Sequence, residues 1–143
     1  MPVIHIPTLI YDAISMHAET SYPYEACGLF SGIYSQSDPI VITGYTKSAN
    51  LAPNPRTAFI IDPVTHIQLQ KNTRATNETI IGIYHSHPDT AAIPSLHDRE
   101  NAAHGNFLWI IASVFPQKIM DIRCYVTSRE GSGFLEAPLE IIT

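Results

Sequence analysis

Two histidines and one aspartate lie close together in a short stretch of the chain, where His85 and His87 are separated by one residue and Asp98 follows. Side chains alternate along a strand, so His85 and His87 at the end of a strand point to the same side. Two imidazoles and one carboxylate can bind a zinc ion and leave a fourth position for water, which is the arrangement of a catalytic site. Water held in this way has a pKa near ~7 and is a competent nucleophile. The spacing therefore predicts a catalytic zinc site formed by these three residues.

Each of these residues also has a simpler interpretation. A histidine pair with this spacing is a weak signal by itself. His97 and His104 are rival ligands, and of the two His97 is the alternative to Asp98. Ser95 and Asp98 have the spacing of a helix capping box. This interpretation is compatible with a metal site, because a serine at the start of a helix can also face a cleft.

Helices and strands are both expected along the chain, and together they must position these residues. Pro7 opens a helix that ends at Tyr22-Pro23, Asp62-Pro63 opens a second that continues to about Arg74, and a third is expected from about Leu96 to His104. Strands are expected at Val3–Ile6, Ala26–Tyr34, Ile40–Thr46, Thr79–Tyr84, Phe107–Val114, Asp121–Thr127 and Phe134–Ile142, with a turn over Ser35–Pro39 and an irregular segment over His85–Asp98. The order predicts an α/β domain of the α+β type, with about three helices packed around a mostly antiparallel or mixed sheet. We expect a single domain over residues 1–143.

Composition and charge narrow the class of partner. The chain has 143 residues, of which 45% are hydrophobic and 15% charged, as expected for one globular domain. Thirteen acidic residues against eight Lys and Arg give a formal charge of −5. The basic residues are scattered, so neither nucleic acid nor a membrane surface is an expected partner.

The N-terminal residues, the apolar runs and the cysteines together predict a cytoplasmic protein. Residues 1–17 contain no Lys or Arg, which argues against a signal peptide. The longest apolar run, 107–115, ends at Pro116 and is too short to span a bilayer. Cys27 and Cys124 are not in a CxxC pair, and we expect both to be reduced thiols.

A family resemblance rests on two separate segments. His85-Ser86-His87-Pro88, the stretch that ends at Pro94, and then Ser95 and Asp98 resemble the signature of the JAMM (or MPN+) metallopeptidases. That family also has a glutamate far upstream, ahead of a glycine, and Glu25 before Gly28 matches that position. The resemblance covers nearly the whole chain and implies a JAMM/MPN-like fold, which is related to that of cytidine deaminases.

The resemblance also implies a role for each site residue. His85, His87 and Asp98 correspond to the ligands of one Zn²⁺ per chain, Glu25 to the general base, and Ser95 to the hydroxyl that stabilises the oxyanion. Without the family, Glu25 would be interpreted as a solvated residue after the first helix.

The two cysteines are not expected to take part in the zinc site. Cys27 is expected to be a small buried side chain, with a modified or metal-bridging thiol as the alternative. A zinc site of the cytidine-deaminase kind is not expected, because neither cysteine lies in a PCxxC pair.

The short chain is similar to the stand-alone prokaryotic members, which include Mec-type peptidases that trim sulfur-carrier proteins. The resemblance thus implies a zinc peptidase that cuts the amide bond after the Gly-Gly tail of a ubiquitin-like or sulfur-carrier protein, its expected partner. The alternatives are an isopeptidase or cell-wall peptide hydrolase with the same zinc chemistry, or a non-catalytic MPN-type scaffold. The intact set of five residues argues against a scaffold. The sequence does not decide whether the protein forms a homodimer.

Overall fold

A computed structural model describes residues 2–33, 39–102, 107–116, 118–127 and 133–143. Within these residues the chain forms three helices and eight strands of one mixed sheet. The strands are β1 (Ile4–Pro7), β2 (Cys27–Ile33), β3 (Ile40–Ser48), β4 (Thr79–Pro88), β5 (Leu108–Phe115), β6 (Lys118–Thr127), β7 (Phe134–Ala137) and β8 (Leu139–Ile142), and the helices are α1 (Thr8–Ser21), α2 (Pro63–Thr73) and α3 (Leu96–Glu100). The expected α+β class, with three helices and a mixed sheet, is confirmed. None of the described helices combines the length and apolar character that crossing a membrane requires.

The sheet is strongly curled. Its strand order is β7-β6-β5-β4-β2-β3-β1-β8, so the consecutive strands β7 and β8 lie at opposite edges. A flat sheet of eight strands would be roughly 34 Å wide. Only Pro138 separates the two strands, and the Ile4 N–H donates to its carbonyl over 2.9 Å. The edges must therefore meet, and the single strand expected over Phe134–Ile142 is divided at Pro138.

Helix α1 fills the concave side of this sheet, where it contacts β1, β3, β4, β5, β6 and β8. Ile14 and Ala18 lie one helical turn apart on its inner face and are fully buried. The Tyr84 hydroxyl from β4 donates to the Ile14 carbonyl over 2.8 Å. This helix therefore fixes the position of the strand that carries both histidines.

The opposite face of the sheet holds a second apolar cluster, formed by Cys27, Phe59, Ala92, Trp109, Ile111 and Tyr125. Helix α2 begins at Pro63 and is capped as expected by Asp62, whose carboxylate accepts the Val64 N–H over 2.9 Å. Ile83, which precedes His85 by two residues, packs against this cluster. The alternation of β4 therefore directs His85 and His87 to this face.

Most expected boundaries agree with the structure to within one or two residues, and the larger differences are in β4, α3 and β6. Strand β4 continues to Pro88 instead of ending at Tyr84, because its parallel pairing with β5 extends to Pro88–Val114. Helix α3 ends at Glu100, earlier than expected, and β6 begins at Lys118 rather than Asp121. His104 and most of the expected turn over residues 35–39 lie outside the described residues.

Candidate metal centre

Strand β4 places both histidines in the interior of the molecule. It lies between β2 and β5, with His85 opposite Cys27 of β2 and Ile111 of β5. His85 is fully buried and His87 is 5% exposed. Their ring centroids are 4.7 Å apart, so both imidazoles face one small volume.

Asp98 completes the group from the first turn of α3. The Ser95 hydroxyl accepts the Asp98 N–H over 3.1 Å, and the Asp98 carboxylate accepts the Ser95 N–H over 2.9 Å, so the capping box is present. Asp98 Oδ1 lies 3.2 Å from His85 Nε2, and Oδ2 lies 3.1 Å from His87 Nε2. His97 is exposed, and the structure brings Asp98 to the histidines in its place.

The three side chains fit a metal ion. One ligand atom from each of His85, His87 and Asp98 lies within 4.8 Å of the others. His87 Nδ1 is within 2.9 Å of the Ala91 carbonyl, so its Nε2 is the atom that faces the site. Neither ring nitrogen of His85 has a partner with hydrogen-bond geometry, although both are buried. A cation between the two rings and the carboxylate would satisfy these atoms.

The charges of the group also favour a cation at this point. Burial lowers the pKa of His85, but the Asp98 and Glu25 carboxylates outweigh it and raise the pKa to about 9. Burial raises the pKa of Asp98, but contacts with His85 and His87 hold it well below its usual range. The two carboxylates thus stabilise positive charge on or between the rings, whether a proton or a metal ion carries it.

Glu25 lies beside this group. It precedes β2, is only 7% exposed, and its Oε1 is 3.3 Å from His85 Nδ1. Its N–H donates to the Pro55 carbonyl over 2.7 Å, and the Asn50 amide donates to its carbonyl over 3.0 Å. The interpretation of Glu25 as a solvated residue is therefore wrong.

A cavity of about 470 Å³ opens over the site, and Glu25, His87 and Ser95 line it. The Ser95 oxygen accepts the Asp98 N–H, which leaves the hydroxyl proton free to donate into the cavity. Thr90 and Ala91 line the same cavity. All five sequence-predicted site residues are thus within one small region.

The loop that contributes Thr90 and Ala91 to the cavity wall is fixed by contacts to its backbone carbonyls. The carbonyls of Thr90, Ala91 and Ala92 each approach one side chain: Ser113 Oγ at 2.5 Å, His87 Nδ1 at 2.9 Å and the Tyr125 hydroxyl at 2.6 Å. Because Ser113 and Tyr125 belong to β5 and β6, this loop is fixed to the sheet.

Several supporting residues were missed by the sequence analysis. Ser86 accepts the Ala26 N–H over 2.8 Å, which anchors the residue after Glu25. Phe59 stacks on His85 with ring centroids 4.4 Å apart. The alternation of β4 was a usable signal for Ser86, which must face away from the histidines. The stacking of Phe59 on His85 and the contact of Asn50 with Glu25 carried no local signal, because these partners are distant in the sequence.

Cys27 is the small buried side chain that was expected. Its thiol points to the carbonyls of Ser48 and Ala49, and burial raises its pKa to about 12. Among the described residues, the group able to hold a metal contains no cysteine. Cys27 and Cys124 are both free and buried.

The family model for prokaryotic homologues of the JAB domain matches residues 7–126. The chain belongs to this JAB family. The JAMM resemblance carried by the two motif segments is therefore confirmed, and with it the expectation of an enzyme of the peptidase class.

Three relatives of this JAB protein are named as a desampylase, a probable conjugate-cleaving protease and a peptidase. It is 31% identical to a desampylase of Haloferax volcanii, over 71% of this chain and 74% of that one. It is 28% identical to a probable TtuB-protein conjugate cleaving protease of Thermus thermophilus, over 70% of this chain and 64% of that one. A CysO-cysteine peptidase of Mycobacterium tuberculosis is 25% identical, over 86% of this chain and 82% of that one.

Solved structures support the fold. A protein of Desulfitobacterium hafniense superimposes with a TM-score of 0.81 at 26% identity, covering 97% of this chain and 92% of that one. A JAMM structure described as a metalloprotease-like zinc site in the proteasome and signalosome gives a TM-score of 0.58 at 20% identity, covering 99% of each chain. The JAMM/MPN-like fold expected from the sequence is confirmed.

Proposed function

We propose that this JAB protein is a zinc-dependent peptidase that hydrolyses the amide bond after the Gly-Gly tail of a ubiquitin-like or sulfur-carrier protein. The observation that carries the proposal is the buried group of His85, His87 and Asp98, with Glu25 beside it at the floor of an open cavity. Buried, mutually close imidazoles and carboxylates are costly for the fold unless they serve a site.

The donor set favours zinc, with one ion per chain. His85, His87 and Asp98 would hold it as two nitrogen donors and one oxygen donor, which leaves a position open to a catalytic reactant. A bound zinc ion would supply Lewis acidity toward the scissile carbonyl and lower the pKa of water. The imidazoles suit zinc better than calcium or magnesium, which prefer oxygen donors alone.

Glu25 and Ser95 supply the remaining chemistry. Glu25 accepts a proton from the attacking water and delivers it to the leaving nitrogen, since a carboxylate is the acid–base group that faces the cavity. The Ser95 hydroxyl donates to the oxyanion of the tetrahedral intermediate. The capping box with Asp98 orients Ser95 for this purpose.

The relatives support the substrate class. The named relatives process conjugates or adducts of proteins, among them TtuB conjugates and a cysteine adduct of CysO. A Gly-Gly tail suits the cavity beside Thr90 and Ala91, because glycine has no side chain to collide with the walls. The buried free thiols fit the expected cytoplasmic setting. The homodimer left open by the sequence gains no support from these relatives.

A second candidate function has the same zinc chemistry but cleaves a different kind of amide bond. The desampylase and the conjugate-cleaving protease favour an isopeptide bond between the Gly-Gly tail and a lysine side chain. The two candidates differ in the leaving group, which is a short C-terminal extension in one and a lysine in the other.

Incubating the zinc-loaded protein with both kinds of substrate tests the proposal. One substrate is a carrier extended by a few residues after Gly-Gly, and the other is the same carrier linked to a lysine-containing peptide. Intact-mass measurement should show a carrier that ends at the second glycine. Cleavage at other positions, or no cleavage of either substrate, would contradict the proposed function.

A further inference from the structure

One cation lines the cavity and has no ion-pair partner among the described residues. Arg56 lines the same cavity as Glu25, His87 and Ser95, and it is the only lysine or arginine among the described residues that do so. No ion pair or side-chain hydrogen bond within the described part of the chain involves it. Its guanidinium carbon lies 5.9 Å from the centroid of the Tyr24 ring. A positive group is therefore available to a ligand in the cavity.

The backbone around this arginine is tied to the proposed base. The Pro55 carbonyl, immediately before Arg56, accepts the Glu25 N–H over 2.7 Å. The Ala58 N–H, two residues after it, donates to the Asn54 carbonyl over 3.1 Å. The loop that carries Arg56 thus holds a fixed position relative to the group that protonates the leaving nitrogen.

The leaving group decides what such a cation can bind. A single amino acid that leaves from a Gly-Gly tail carries its α-carboxylate two bonds from the leaving nitrogen. That carboxylate would enter a cavity that already contains Glu25, with Asp98 close by, and would be repelled without a positive charge. A lysine side chain leaving from an isopeptide bond has only methylene groups at this position. Arginine binds carboxylates through two parallel hydrogen bonds.

We propose that Arg56 binds the α-carboxylate of a single amino-acid leaving group, so that this site removes one C-terminal residue after a Gly-Gly tail. This inference rests on the proposed function and selects one of its two candidate bonds. The reaction is balanced as a hydrolysis: the water oxygen forms the new bond to the glycine carbonyl carbon, and the carbon–nitrogen bond breaks. One water proton passes through Glu25 to the leaving nitrogen, and the amino acid departs with its carboxylate on Arg56.

The test compares three ligands that differ only near the broken bond. They are a carrier that ends in Gly-Gly-Ala with a free carboxylate, the same carrier with a terminal carboxamide, and the carrier joined to a lysine side chain. Affinities are measured by calorimetry on zinc-loaded Glu25→Gln protein, and cleavage rates on protein with Glu25 intact. Arg56→Gln removes the charge, Arg56→Lys restores it, and Arg74→Gln is the matched control at an exposed arginine on the end of α2.

We expect the free carboxylate to bind at least about 10-fold more tightly than the carboxamide, with the same preference in kcat/KM. Arg56→Gln should abolish this preference while it leaves the carboxamide within about 2-fold, Arg56→Lys should restore part of it, and Arg74→Gln should not change it. Equal affinity for acid and amide, or faster cleavage of the lysine-linked carrier, would overturn the role of Arg56. Preferential binding of the acid without cleavage of any carrier would instead contradict the proposed function and leave the carboxylate site supported.

Discussion

At the level of single residues, the ligand atoms of His85, His87 and Asp98 lie within 4.8 Å of one another. His87→Ala should therefore remove the metal, because a site with three protein ligands does not survive the loss of one. Elemental analysis of the purified variant should find well under one zinc per chain. His97→Ala is the matched control, since His97 is exposed and next to the same carboxylate in sequence, and it should retain the metal. Equal metal content in the two variants would contradict the assignment of His87.

The proposed base gives a second prediction for a single residue. Glu25→Gln should retain zinc and lose turnover by about 10²–10⁴, because an amide fills the same space without accepting a proton. Both zinc content and kcat should be measured on the same preparation. A variant as fast as the parent would show that the base lies elsewhere.

Ser95 has two roles that a pair of substitutions can separate. Ser95→Ala removes the cap of α3 and the hydroxyl that faces the cavity, whereas Ser95→Thr keeps both. We expect Ser95→Ala to lower kcat by about 10²–10³ and the free energy of unfolding by about 1 kcal/mol. If Ser95→Ala lowers stability and leaves kcat unchanged, the residue is a helix cap only.

At the level of elements, Asn50 joins the loop after β3 to Glu25. Its amide donates to the Glu25 and Ala58 carbonyls and accepts from the Ala52 and Ile60 N–H groups, over 3.0 to 3.1 Å. Asn50→Ala should lower the free energy of unfolding by about 1–3 kcal/mol, because four backbone groups lose their partner. Urea denaturation measures this change.

The matched control for this substitution is Asn72→Ala, at an exposed position on α2. It should change the free energy of unfolding by no more than about 0.5 kcal/mol. Similar losses in the two variants would show that Asn50 does not support the loop.

A pH dependence follows from the contact between α1 and β3. His17 Nδ1 is 2.7 Å from the Tyr45 hydroxyl, and burial together with Lys47 lowers its pKa from 6.5 to about 4. Between these values the unfolded chain binds the proton more readily, so stability falls as the pH decreases from 6.5 toward about 4. His17→Gln has no such proton to bind. Its free energy of unfolding should therefore fall less between pH 7 and pH 5 than that of the parent, and equal losses would contradict the shift.

The sequence predicted most elements and a set of residues that the structure brings together, and its errors have physical causes. His85, His87 and Asp98 could be proposed as ligands from the sequence because ligand chemistry and strand alternation are local properties, whereas Glu25 and Ser95 were proposed from the family resemblance. The division of Phe134–Ile142 at Pro138 was missed, since only the curl of the sheet sends the two halves to opposite edges.

Strand β4 was predicted too short for a related reason. His85 to Pro88 have no strand periodicity of their own, and pairing with β5 extends the strand. The hydrogen bond from the Asn50 amide to the Glu25 carbonyl joins residues 25 positions apart, so no local sequence pattern predicts it.

At the level of the whole molecule, the cavity should select substrates whose tail residues have no side chains. Replacing either glycine of the tail by valine should lower kcat/KM at least about 10-fold, since the walls beside Thr90 and Ala91 are fixed to the sheet. A carrier series with single replacements, followed by intact mass, measures the effect. Equal rates for glycine and valine at both positions would assign the enzyme to another amide substrate.

The proposed function requires one metal ion held by His85, His87 and Asp98. The most direct measurement is a titration of metal-free protein with zinc, in which cleavage of a Gly-Gly-extended carrier is followed by mass. Activity should be absent without metal, rise in proportion to added zinc and reach its maximum at about one zinc per chain. Cleavage by the metal-free protein, or no cleavage at one bound zinc per chain, would contradict the account.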